Sequence, residues 1–250
     1  VRDRRAGVSA YYRLNGDAGS DIDGLLAVIA ESIDDALLDE DRQRLPDILA
    51  QRAREQGWAD SVAGDMERHY SPGRTWETLA RALLQLLETG EVLDIASGDG
   101  VLAELLAPHA RQVVCVDSSE RVVAAAQARL KPFRNVAVVR GDMHALDLGS
   151  RRFDLVLLMH ALTYTERPAQ VIAEAAKVLK PGGRLLAVTL ARHAHAAAVQ
   201  PFDHRNHGFK PAELTQLARK AGLAVQHCQR LTRERKPPHF EVLSLLATKP

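Results

Sequence analysis

From Glu91 to the end of the chain, short runs of aliphatic and β-branched residues alternate with longer segments of helical periodicity. Each parallel return in a sheet needs a crossover long enough to hold a helix, so this alternation is the signature of a parallel sheet flanked by helices. The strand candidates are "EVLDIA" (91–96), "QVVCVD" (112–117), "VAVVR" (136–140), "FDLVLLM" (153–159), "GRLLAVTL" (183–190), "LAVQHCQRL" (223–231) and "FEVLSLLATK" (240–249). Helical segments fall at 100–107, at 119–130 with Ser118 or Ser119 as N-cap, at 167–179, and at 211–221 opening on Pro211. The last two strand candidates are joined only by "TRERKPPH". Eight residues cannot hold a crossover helix, so an antiparallel hairpin is expected to close the sheet.

The first ninety residues follow a different pattern. Residues 17–41 carry nine acidic side chains and no lysine or arginine, while Ile22, Leu25, Ile29, Ile33 and Leu37 recur at helical spacing. This predicts an acidic amphipathic helix with one apolar seam, too long to stay exposed, and hence a homodimer. A second helix is expected after Pro46, a third over about 58–69, and "TWETLARALLQLLETG" reads as a fourth that Gly90 ends. The helix-breaking "YSPG" sets a boundary near Tyr70–Gly73, which divides the chain into 1–15, a helical region 16–70, and an α/β domain 71–250.

Composition removes several function classes. Among 250 residues, 33 basic and 32 acidic side chains leave a net charge of +1, so no global field commits the chain to nucleic acid or membrane. No apolar run approaches the eighteen or so residues of a spanning helix, so no membrane partner is expected. Two cysteines, Cys115 and Cys228, form neither a disulfide framework nor a zinc signature; a reducing compartment, the cytoplasm, is expected.

"EVLDIASGDGVLAELL" (91–106) places a glycine loop between a strand and a helix, a way to bring backbone close to a ligand. Gly98-x-Gly100-x-x-Ala103 satisfies a relaxed dinucleotide fingerprint. Asp94 argues against a pyrophosphate, because a carboxylate at the strand end suits a cation instead. Asp117 ends the next strand, where an acid can accept both hydroxyls of a ribose. "RGDM" brings Asp142 and Met143 to the same sheet edge, Asp142 to accept from an adenine amino group and Met143 to pack on the ring.

The series "VLDIASGDG", "VVCVDSS", "VVRGDM", "FDLVLLMHALTY" and "VLKPGGRLLAV" resembles the class I S-adenosylmethionine (SAM)-dependent methyltransferases, in order and across about 71–250. The resemblance implies a seven-stranded sheet of order 3-2-1-4-5-7-6 with strand seven antiparallel, in agreement with the hairpin read from the loop length. It also implies SAM as cofactor, S-adenosylhomocysteine (SAH) as product and a small-molecule methyl acceptor. The opening loop, with Asp94, Ala96, Ser97, Gly98 and Gly100, would hold the methionine end. Asp117, Ser118, Asp142, Met143 and Met159 would complete the cofactor contacts, and Tyr70 and Arg74, on a segment that commonly lids SAM, would add to them. Ala96 stands where glycine is more usual and Asp99 where Thr or a small residue is commoner; alanine tolerates close packing but not a positive φ, a point that concerns the loop entry and not the binding mode.

Methyl transfer from a sulfonium is an in-line displacement that needs positioning and, for some acceptors, a general base. His160 and Tyr164 in "MHALTY" follow the fourth strand directly and are the catalytic candidates. "ARHAHAAAVQPFDHRNHGF" adds His193, His195, His204 and His207 with Asp203, read as a polar cover over the site with no assigned metal ligand.

"VRDRRAGVSAYYRLN" holds four arginines about a central Ala-Gly and predicts a basic hairpin. It resembles the wing of an ArsR/SmtB-type winged-helix regulator, and the acidic helix resembles that family's dimerisation helix. The opening at Val1, inside the hairpin, reads as the C-terminal part of a longer regulator–methyltransferase fusion, in which the hairpin would contact DNA. The alternative is a regulator that senses SAM or SAH without turnover. A dinucleotide-dependent oxidoreductase is opposed by Asp94 and the terminal hairpin. An arsenic methyltransferase lacks its thiolates here, since Cys115 falls inside a strand and leaves Cys228 alone.

Overall fold

The computed structural model describes residues 2–6, 9–13, 28, 36–54 and 75–250, in two compact units, Val1–Ser71 and Pro72–Pro250. The expected helix at 58–69, most of the acidic helix at 17–41, and Tyr70 and Arg74 lie outside the described residues.

In the first unit, β1 (Arg2–Ala6) and β2 (Ser9–Arg13) pair antiparallel with Arg2 opposite Arg13 and Arg4 opposite Tyr11. Helix α1 (Ala36–Arg54) runs straight through Pro46, where a new helix was expected to begin. Proline removes one intrahelical hydrogen bond, and the surrounding Ala, Leu, Arg and Gln are strong enough helix formers to carry the helix across that gap.

The second unit is built on a seven-stranded sheet of β3 (Glu91–Ile95), β4 (Gln112–Asp117), β5 (Val136–Arg140), β6 (Phe153–Met159), β7 (Leu179–Leu190), β8 (Ala224–Arg233) and β9 (Glu241–Thr248). Its order is β5-β4-β3-β6-β7-β9-β8, which is 3-2-1-4-5-7-6 counted within the sheet. The first five strands are parallel, and β9 runs antiparallel to both neighbours; its pairing with β8 is the hairpin that the short 234–240 connection requires. The helices are α2 (Trp76–Leu84), α3 (Val101–Leu106), α4 (Glu120–Leu130), α5 (Pro168–Val178), α6 (Ala196–Val199) and α7 (Pro211–Lys220). Ser119 caps α4 by accepting from the Val122 N–H. The expected helix up to Gly90 ends at Leu84, because Gln85, Leu86 and Leu87 donate one residue short, to Ala82, Leu83 and Leu84, and tighten the chain into a turn.

The period of two along each strand divides the apolar residues between two cores. Val92, Val113, Cys115 and Leu157 pack with Ala103, Leu106, Ala126 and Leu130 of α3 and α4. Leu93, Ile95, Val114, Val156 and Leu158 face the other way, onto Val171, Ile172 and Ala175 of α5 and Leu214 and Ala218 of α7. Both faces of the central strands are therefore buried, and ligands are left the carboxyl edge of the sheet, where the strand order reverses. No helix among the described residues is long and apolar enough to cross a membrane.

Candidate active site

The carboxyl ends of β3, β4, β5 and β6 open into a cavity of about 870 Å³. Asp94, Ala96, Ser97 and Gly98 line it from β3 and its loop, and Asp117 and Ser118 from β4. Asp142 and Met143 follow β5, and Met159, His160 and Tyr164 follow β6. Another cavity, about 860 Å³, opens at the opposite strand ends around Thr89, Asp154 and Arg184 and holds none of these acids.

Asp94 is 2 % exposed, and its Oδ1 has no hydrogen-bond partner among the described residues. Burial, and secondarily the charge of Asp117, push its carboxyl up to about 7. Across the strand pair it faces Cys115, whose thiol burial and the Asp94 charge push up to about 12, so that sulfur is no nucleophile at neutral pH. A desolvated carboxylate with an open oxygen repels a phosphate and is stabilised by a cation.

Asp117 is held from both sides. Its Oδ2 accepts the Gly98 N–H (3.1 Å) and its Oδ1 the Ser119 N–H (3.0 Å), which ties the glycine loop to the end of β4. Each oxygen retains a second lone pair, enough for a vicinal diol. Asp142 accepts the His144 N–H (2.8 Å) and meets the His144 ring, and these contacts hold its carboxyl below the usual range.

The loop itself corrects two expectations. Ala96 adopts φ +55, the left-handed conformation that alanine was expected to avoid. The Ser97 N–H reaches Val116 O (3.1 Å), and the Ala96 side chain packs on the core, so neighbouring contacts fix the turn despite the strain. Gly100 does not line the cavity: at φ +83 it caps α3, and a Cβ there would come within 2.6 Å of Leu130 Cδ1. It is a packing glycine between loop and α4, whereas Gly98 (φ +58) faces open space that a ligand can enter. Asp99 is explained as well, because Arg129 of α4 donates to its Oδ2 (2.9 Å) and to its carbonyl (3.0 Å).

His160 sits at φ +59, its N–H bonded to Val188 O (2.8 Å) and its carbonyl accepting from the Thr163 hydroxyl (2.7 Å). The imidazole opens to the cavity, and burial lowers its pKa, so it is neutral at pH 7. Tyr164 meets the ring of His204 edge-on at 5.4 Å. His193 stacks on His195 and His207 and meets Phe240 edge-on. Among the described residues no group of three or more His, Cys, Asp or Glu side chains is placed to hold a metal ion. Sequence reasoning passed over His144 and Arg167, which also line the cavity. The Asp142-x-His144 spacing was the available signal, since an aspartate readily binds the N–H two residues on.

Residues 93–187 match the methyltransferase domain family model. The ubiquinone biosynthesis O-methyltransferase of Thiobacillus denitrificans is 33 % identical over 159 residues, which cover 57 % of this chain and 68 % of that enzyme. The chain belongs to the class I SAM-dependent methyltransferases. The Coxiella burnetii enzyme of the same name is 31 % identical over 153 residues, and this chain spans 65 % of its length. The crystal structure of the N-methyltransferase NodS from Bradyrhizobium japonicum in complex with SAH has a TM-score of 0.55 at 20 % identity, covering 79 % of this chain and 96 % of that one; the likeness is one of fold.

Proposed function

We propose that this chain transfers the methyl group of SAM to a small-molecule acceptor. The observation that carries the reading is Asp94: a carboxylate 2 % exposed that lines the cavity, its Oδ1 without a hydrogen-bond partner among the described residues, is complementary to the ammonium of an amino acid. SAM would supply a sulfonium methyl, an electrophile that needs no further activation. The glycine loop and Asp94 would hold the amino-acid end, Asp117 the ribose hydroxyls, and Asp142 with Met143 the adenine, with Ser118 and Met159 lining the same cavity. His160 and Tyr164 stand at the end of β6, where an acceptor meets the methyl group, and a neutral imidazole there can orient an acceptor hydroxyl and take its proton. The O-methyltransferase names of the sequence relatives agree with an oxygen acceptor.

Calorimetry with SAH and with NAD tests the cofactor assignment. SAH should bind and NAD should not, and Asp117→Ala should weaken SAH by about 1.5–3 kcal/mol, the scale of charge-assisted hydrogen bonds. Tight NAD binding, or SAH affinity untouched in the variant, would remove the assignment.

The β1–β2 pairing supports a second element of the reading. A hairpin carrying Arg2, Arg4, Arg5 and Arg13 is suited to phosphate contact, and our reading takes it as the wing of an ArsR/SmtB-type DNA-binding unit in a cytoplasmic, homodimeric protein. In such a chain the SAM site would act as an enzyme or as a SAH-responsive sensor, and turnover on an acceptor panel separates the two.

A further inference from the structure

His144 belongs to no motif singled out in the sequence, yet its side chain is only 15 % exposed and it lines the cavity. Its Nδ1 lies 2.6 Å from Asp142 Oδ1 and its Nε2 lies 2.7 Å from Thr165 Oγ1. A carboxylate only accepts, so Nδ1 donates to Asp142, and Nε2 shares a hydrogen bond with the Thr165 hydroxyl. Thr165 is itself fixed: its Oγ1 accepts the Arg167 N–H (2.8 Å), and its carbonyl accepts from Asn206 Nδ2 (2.9 Å). Asn206 also holds Leu162 O within the turn that follows His160. Asp142 Oδ2 is thereby left without a hydrogen-bond partner among the described residues, on a side chain 59 % exposed at the cavity.

We propose that His144 is a positioning residue: it saturates Asp142 Oδ1, turns Oδ2 toward the ligand as an acceptor for an exocyclic amino group, and ties that carboxylate to the acceptor-side turn through Thr165. The proposal rests on the SAM reading above and adds to it the source of adenine selectivity. A carboxylate free to rotate presents either oxygen and accepts from water; one clamped through Oδ1 presents a single acceptor in a fixed direction. It discriminates an amino group, a donor, from a carbonyl in the same place, which brings two acceptors together.

The test compares SAH with S-inosylhomocysteine, in which that amino group is a carbonyl, by calorimetry on the 250-residue chain. The parent should prefer SAH by about tenfold or more. His144→Ala should cut that preference at least about fivefold, while His144→Asn, whose amide reaches Asp142 from roughly the Nδ1 position, should keep it within about twofold. His144→Gln, which mimics Nε2 and not Nδ1, should behave like alanine. A purely structural role would weaken both ligands equally in every variant, and that result overturns the proposal, as does an undiminished preference in His144→Ala. A parent that binds both ligands alike refutes selectivity through Asp142 while leaving the SAM reading intact. A parent that binds neither refutes both.

Discussion

Asp94 and Asp117 close the ends of neighbouring parallel strands, and the charge of Asp117 adds to burial in keeping the Asp94 carboxyl protonated up to about pH 7. The folded chain therefore binds that proton more tightly than the unfolded chain, whose aspartates titrate near 4. Stability from this group is unimpaired below pH 4, falls as pH rises from about 4 to about 7, and carries the full penalty above, on the order of 4 kcal/mol. Asp94→Asn cannot ionise, so the ligand-free variant should melt higher than the parent at pH 8 by several degrees and equally at pH 4, while losing SAH affinity at least about tenfold. Scanning calorimetry at the two pH values, with and without SAH, checks both halves. A variant less stable than the parent at pH 8 would show that Asp94 is a structural acid.

The same linkage shapes the pH dependence of binding. An ammonium ligand selects ionised Asp94, so its bound pKa lies below the free value of about 7. Affinity for SAH should be level above pH 8 and weaken as pH falls, by about tenfold between pH 8 and pH 6. Near pH 7 about half a proton should be released per SAH bound, read from calorimetry in buffers of different ionisation enthalpy. Asp94→Asn should flatten the profile, and a profile of unchanged slope in that variant would assign the proton to another group.

The left-handed turn at Ala96 sets a third expectation. Glycine accepts φ +55 freely but loses more chain entropy and the methyl that packs on the core, so Ala96→Gly should change stability by less than about 1 kcal/mol. A β-branched side chain cannot adopt that φ without strain, and Ala96→Val should cost about 2–3 kcal/mol, lowering Tm by roughly 5–10 °C. Equal melting of the three chains would mean that the turn relaxes when substituted.

The sheet was legible because its evidence is local and redundant: seven runs with strand character, crossovers long enough for helices, and one connection too short for any. The strand-end acids were legible for a similar reason, since Asp94, Asp117 and Asp142 each end or follow a strand and a parallel sheet delivers those ends to one edge. Tertiary contacts decided what was missed. Ala96 is held at positive φ between the Ser97 N–H bond to Val116 O on one side and the core on the other. Gly100 reads as a ligand-facing glycine until Leu130 is seen beneath it. Thr165 lies twenty-one residues from His144, and no pattern along the chain announces that they meet. The stop of α2 at Leu84 and the passage of α1 through Pro46 show the opposite limit, where propensity marks a boundary and backbone hydrogen bonding sets it elsewhere.

His160 separates turnover from sensing. Its backbone is pinned at φ +59 by Val188 and Thr163, so the imidazole is presented to the cavity by main-chain bonds that survive truncation of the side chain. His160→Ala should therefore leave SAH affinity within about threefold and lower kcat on the best acceptor at least about tenfold, the scale of a modest general-base or orienting role. Because burial lowers its pKa, the parent should need no proton removed from His160 at neutral pH, and activity should fall only as acidification protonates the ring, below its ordinary value near 6.5. Single-turnover methylation by parent and variant, followed from pH 5 to 8, measures both effects. Equal single-turnover rates would take His160 out of the chemistry and leave it a brace for the turn. A loss of SAH binding together with a lower melting temperature would say the same by another route, and no turnover on any acceptor would leave the sensor as the reading that fits the site.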